Sequence, residues 1–110
     1  MCSSDLWLPR DGKQGFDVLV TPTLAGPPPK IGALSGDDST DRIREIIQYT
    51  AQFNMTGQPA ISLPLHMSAS GLPMGVQFVG APYREDVLLR LAAQLEAAAP
   101  WSGRRPAVHA

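Results

Sequence analysis

Proline sets the first limit on this chain. It stands at Pro9, Pro22, Pro27, Pro28, Pro29, Pro59, Pro64, Pro73, Pro82, Pro100 and Pro106, and ten glycines are interleaved with it. Proline cannot donate to a sheet ladder or continue a helix. No regular element can therefore cross these positions freely, and the chain is cut into short pieces. The pieces between are well patterned and apolar, so the prolines mark turns and do not belong to a disordered tract.

Read piece by piece, the pattern predicts an α/β chain of about three strands and two helices. Residues 16–21 (FDVLVT) carry Val18, Leu19 and Val20 in succession, the signature of a strand buried on both faces, stopped by Pro22. Residues 23–34, with three consecutive prolines, read as extended loop. A first helix is predicted from about Asp41 to Phe53, with Ser39 or Thr40 as its cap. Ile43, Ile46, Ile47 and Thr50 form its stripe, and Asn54 or Gly57 ends it. Residues 60–65 alternate Ile61, Leu63 and Leu65 with small residues, which is a strand, and Pro64 places it at an edge or near its end. Residues 74–79 form its hairpin partner, with Met74, Val76 and Phe78 on one face. Gln77 on that strand is expected to face solvent or a helix. The alternative is a buried amide that must be hydrogen-bonded. The last helix opens on Glu85 and Asp86, carries Val87, Leu88, Leu91, Ala92, Leu95 and Ala98 as its stripe, and ends at Pro100. Both helices are expected to pack on the sheet. Three short strands make a thin core, so an apolar face should be left over for partner structure.

Bulk properties exclude several function classes. The 110 residues suffice for one small domain, 44% are hydrophobic, and the formal net charge is −1. No basic field is available for nucleic acid. No apolar run approaches membrane-spanning length and no apolar leader is evident, which makes the cytoplasm the expected address. The single cysteine, Cys2, has no partner for an intrachain disulfide. Residues 1–6 (MCSSDL) lack periodicity and look like a translated sequencing adapter. They are expected to be an assembly artefact ahead of a domain segment at residues 7–110, and the reading frame is expected to be truncated there.

The chain shows little chemistry of its own. There is no phosphate-binding glycine loop, and His66 and His109 lack partners at metal-ligand spacing, so neither metal nor cofactor is expected. His66 reads as a solvated or partly packed imidazole, and His109 as tail. Ser68 and Ser70 read as loop serines, because nothing nearby identifies a base or an oxyanion hole.

Three blocks nevertheless carry a pattern. Residues 54–64 (NMTGQPAISLP), 71–80 (GLPMGVQFVG) and 86–96 (DVLLRLAAQLE), preceded by residues 16–23 (FDVLVTPT), together resemble the C-terminal end of the amidase signature family. The closing Gly103, Arg104, Arg105 and Pro106 are similar to the tails of bacterial members acting on small or linear amides, aminohexanoate-oligomer hydrolases among them. The resemblance implies a large mixed sheet flanked by helices, of which this chain is the C-terminal portion. It also implies hydrolysis of a carboxamide to a carboxylic acid and ammonia or amine by a Ser–Ser–Lys arrangement. The family's lysine and Gly-Ser-Ser segments lie upstream and are absent here. Lys13 and Lys30 match neither, and Ser3 and Ser4 are not embedded in glycines. No catalytic residue is therefore assigned, and the chain alone is expected to be inactive. The resemblance points to Tyr49, Thr50 and Asn54 as neighbours of a small amide substrate. The structural alternatives are core packing for Tyr49 and helix C-terminal capping for Asn54. It leaves open a homodimer of the parent protein. A second reading is a small non-catalytic structural or interaction domain related to the same C-terminus.

Overall fold

The computed structural model describes Trp7, residues 14–36 and residues 39–108. The suspected artefact at residues 1–6, together with Lys13 and His109, lies outside the described residues. In chain order the elements are β1 (Leu19–Pro22), α1 (Ser39–Ile47), α2 (Ala51–Thr56), β2 (Ala60–Met67), β3 (Pro73–Val79) and α3 (Glu85–Ala98).

The predicted hairpin forms. β2 and β3 pair antiparallel, with Ile61 opposite Phe78 and Leu63 opposite Val76. β1 joins the other side of β3, placing Val20 opposite Phe78 and Thr21 opposite Gln77, so the sheet order is β1-β3-β2. The pairing is irregular between Leu63 and His66, where Pro64 has no N–H to give. β2 is an edge of this sheet, which is where a proline is tolerated.

Side chains alternate across a pleated strand, so the register sorts them into two faces. One face carries Ile61, Leu63, Val76 and Phe78, and α3 lies against it. Leu63, Phe78 and Leu88 form the buried cluster, with Val18, Leu91, Leu95 and Trp101 packed around it. The α3 stripe thus behaves as its periodicity predicts, although Ala98 at its end is exposed. The other face carries Thr21, Ser62, Gly75 and Gln77, a polar patch, and at its end Leu19 beside the fully buried Val79.

The structure corrects several expectations and decides between the two residues offered as the helix end. The helix predicted over residues 41–53 is two helices, α1 and α2, separated by a turn at residues 48–50. Ser39 and Thr40 do not precede α1 as caps but lie within its first turn. Gly57, at φ 69°, ends α2 and donates its N–H to the Phe53 carbonyl, whereas Asn54 sits inside that helix. β1 is not buried on both faces, because it is an edge of the sheet and its Val20 is 54% exposed. The α1 stripe also differs from expectation, since Ile43 and Ile47 are exposed and Ile46 faces the proline loop across a cleft lined by Leu24, Pro27 and Pro29.

At the start of α3, Asp86 accepts from Arg84 Nε (2.8 Å) and Nη2 (3.1 Å) and from Arg90 Nη2 (2.8 Å). The Arg84 hydrogen bonds hold the Asp86 carboxyl down at about 2, from an ordinary 3.8. A depressed carboxylate stabilises the fold above its unfolded value. That contribution is lost as pH falls from about 3.8 towards 2. An NMR titration of the Asp86 carboxyl carbon is expected to show its midpoint near 2, and Arg84→Ala should return it towards 3.8. A midpoint that Arg84→Ala leaves unmoved would contradict this assignment.

Candidate functional site

The three residues singled out by the sequence fall on one short stretch of chain, the turn between α1 and α2. Tyr49 and Thr50 are half-buried within it, and Asn54 is exposed one turn further along α2. The local chemistry explains why the helix breaks here. Gln48 Nε2 donates to the Glu45 carbonyl (2.8 Å), and both the amide and the hydroxyl of Thr50 donate to the Ile47 carbonyl (3.0 and 3.3 Å). These contacts satisfy the last carbonyls of α1, which a continuing helix would have used. The helix then restarts from Thr50, whose carbonyl accepts from the amides of Phe53 (3.2 Å) and Asn54 (3.4 Å). The Tyr49 carbonyl is left outside both ladders and accepts from Gln77 Nε2 at 2.8 Å.

Gln77 is therefore not the solvent-facing residue that its type suggests. It is 5% exposed, and its amide also donates to Thr21 Oγ1 at 2.9 Å. A buried amide must be hydrogen-bonded, and these two bonds use both of its donors. Beside it, Thr23 and Ser62 share a hydroxyl–hydroxyl hydrogen bond of 2.6 Å above Gly75. The polar face of the sheet thus backs the α1–α2 turn with a row of side-chain hydrogen bonds. Thr21, Thr23, Ser62 and Gln77 were not among the sequence candidates. The signal available was Gln77 itself, a long polar residue set between Val76 and Phe78.

Among the described residues no serine hydroxyl is hydrogen-bonded to a base. Two pairs of hydroxyls bond each other, Ser62 with Thr23 and Ser68 with Ser70 at 2.9 Å. Neither pair includes a base able to take a proton from a nucleophile. His66 is exposed on β2. Among the described residues there is no group of three or more His, Cys, Asp or Glu that could hold a metal ion. Nor is any helix among them long and apolar enough to cross a membrane.

Comparison with known proteins decides the family. The amidase family model matches residues 9–89, most of the chain. The chain belongs to the amidase family. The 6-aminohexanoate-cyclic-dimer hydrolase of Pseudomonas sp. (strain NK87) is 48% identical over 102 residues, covering 84% of this chain and 21% of the relative. The enzyme of the same name from Paenarthrobacter ureafaciens is 47% identical over 102 residues, with the same coverage. The structure of a 6-aminohexanoate cyclic dimer hydrolase superposes with a TM-score of 0.77 at 46% identity, again over 84% of this chain and 21% of that one. This amidase chain thus spans about one fifth of the length of the relatives it matches. The sheet and α3 described above are part of the architecture shared with that solved hydrolase.

Proposed function

We propose that this chain is the C-terminal portion of an amidase that hydrolyses a small carboxamide to a carboxylic acid and ammonia or amine. The observation that carries the reading is the family match over residues 9–89. In the reaction, water adds across the amide: the carbonyl carbon–nitrogen bond breaks and the nitrogen leaves with a proton. A serine nucleophile, its activating base and an oxyanion hole are needed for this, and they come from the remaining four fifths of the parent protein. The part played by this chain is to present Tyr49, Thr50 and Asn54 at the edge of the substrate pocket, on a turn fixed to the sheet. The reading needs no cofactor or nucleic acid, it suits a cytoplasmic enzyme, and it is compatible with a parent homodimer. The names of two of its relatives favour cyclic aminohexanoate-type amides as the substrate class.

The test compares two proteins, the whole enzyme carrying this sequence and the purified 110-residue chain, by ammonia or amine release from a panel of small amides. The whole enzyme is expected to turn over at least one amide, and the short chain none. Activity that titrates with the pure short chain would overturn the assignment of chemistry to the rest of the protein. An inactive whole enzyme would overturn the amidase reading.

A further inference from the structure

We propose that Gln77 is a positioning residue for the substrate-facing turn, an inference that rests on the placement of Tyr49, Thr50 and Asn54 beside the substrate. In an uninterrupted helix the Phe53 amide would donate to the Tyr49 carbonyl. Here it donates to the Thr50 carbonyl, and Gln77 supplies the donor that Tyr49 receives. A strand residue 28 positions away thus takes the hydrogen bond that helix continuation would need. Its second donor is held by Thr21 on β1. The amide is thereby clamped between a neighbouring strand and the turn, at 5% exposure. A buried side chain with both donors committed has little rotamer freedom, so it transmits the position of the sheet to the Tyr49 backbone. The helix break fixes where Thr50 and Asn54 point. Gln77 acts through the Tyr49 carbonyl.

The choice of glutamine follows from this geometry. Asparagine is one methylene shorter and cannot span the distance from β3 to the turn while also reaching Thr21. Glutamate has the same shape, but when ionised it has no proton to donate to a carbonyl. Leucine fills the space and leaves the Tyr49 carbonyl without its partner. The turn is then free to re-form as continuous helix, which swings Asn54 away from its present direction.

The test measures steady-state kinetics of the whole enzyme with hexanamide, alongside thermal midpoints. Gln77→Leu is expected to raise KM about tenfold, the scale of one lost buried hydrogen bond, with kcat changed less than about threefold. Thr21→Val removes the other acceptor but leaves the Tyr49 bond. It is expected to lower the midpoint and to leave KM within about twofold of the parent. Gln77→Glu is expected to show the raised KM at neutral pH and to recover towards the parent value as acidification returns a proton to the carboxyl. If both Gln77 variants keep the parent KM, or if Thr21→Val raises KM as far as they do, the positioning role is overturned. Failure of both Gln77 variants to fold also overturns it, because the hydrogen bonds then serve folding alone. A parent enzyme inactive on the whole panel of small amides rejects the underlying amidase reading, while an active parent with unmoved KM in the variants rejects this inference only.

Discussion

Leu88→Ala is expected to destabilise the fold by about 3 kcal/mol, within the range of about 2–5 for leucine truncations in cores. Leu88 is 3% exposed and is the one buried residue of α3. It meets Leu63 and Phe78, one from each strand of the hairpin, so it joins α3 to the sheet. Its Cγ lies 3.3 Å from where a Cβ on Gly80 would sit, which shows how closely the start of α3 approaches the end of β3. Alanine removes this contact and leaves a void that flanking Leu91 and Leu95, themselves only half-buried, are poorly placed to fill. A small domain has about 5–15 kcal/mol in total, so the loss is a large share of it. Leu89, the adjacent residue, is 65% exposed, and Leu89→Ala should stay within about 0.5 kcal/mol of the parent. Urea unfolding of both variants checks the contrast. Equal midpoints for the two would show that α3 is not anchored through Leu88.

The elements that were legible in the sequence are those whose burial is set locally. α3 and the β2–β3 hairpin announce themselves through period 3.6 and period 2, and their partners lie close in the chain. Pro64 at an edge strand and Pro100 beyond α3 were legible for the same reason, since each acts through its own missing N–H. The family was legible because the three blocks and their order are contiguous with these elements. What the sequence could not show depends on distant residues. The break between α1 and α2 falls inside an acceptable helical pattern, and besides the local bonds of Gln48 and Thr50 it involves Gln77, 28 residues later, which donates to the Tyr49 carbonyl. Gln77 itself reads as exposed on polarity alone. It is buried because β1 and the turn cover it, and neither is adjacent in sequence. The successive apolar residues of β1 promised burial on both faces, yet Val20 lies on an edge strand and is more than half exposed. Asn54 and Gly57 were equivalent candidates for ending a helix. The αL conformation went to glycine, which has no Cβ to strain it. The candidates Tyr49, Thr50 and Asn54 came from the sequence resemblance, while the hydrogen bonds that hold their turn became visible only with the strand register.

Gly75→Ala is expected to destabilise the fold by about 2 kcal/mol, within the range of about 1–3 for an overpacked methyl group. The argument is steric, because no positive φ is involved at this position. A Cβ on residue 75 would lie 2.5 Å from Ser62 Oγ, 2.7 Å from Thr23 Oγ1 and 3.1 Å from Thr23 Cβ. Both hydroxyls belong to short side chains that cannot swing far, and the Thr23 amide is tied to the Gly75 carbonyl at 3.2 Å. Accommodating a methyl group therefore means breaking the 2.6 Å Thr23–Ser62 hydrogen bond or moving the end of β1. Gly103→Ala tests the reading, since nothing lies within 4 Å of a Cβ there and its φ is not positive. That change should be nearly silent. Ser62→Gly separates steric crowding from loss of the hydrogen bond. Alone it removes the bond and costs stability, but combined with Gly75→Ala it also removes the closest clash. The double variant is then expected to lose less than the sum of the two single losses. Strict additivity would mean that Ser62 and residue 75 do not compete for the same space. Gln77 lies two residues along the same face, so a displaced β1 would also carry Thr21 away from its amide. The Gln77 bond to the Tyr49 carbonyl does not run through Thr21, so the drop in stability from Gly75→Ala should leave the KM of the whole enzyme within about twofold of the parent.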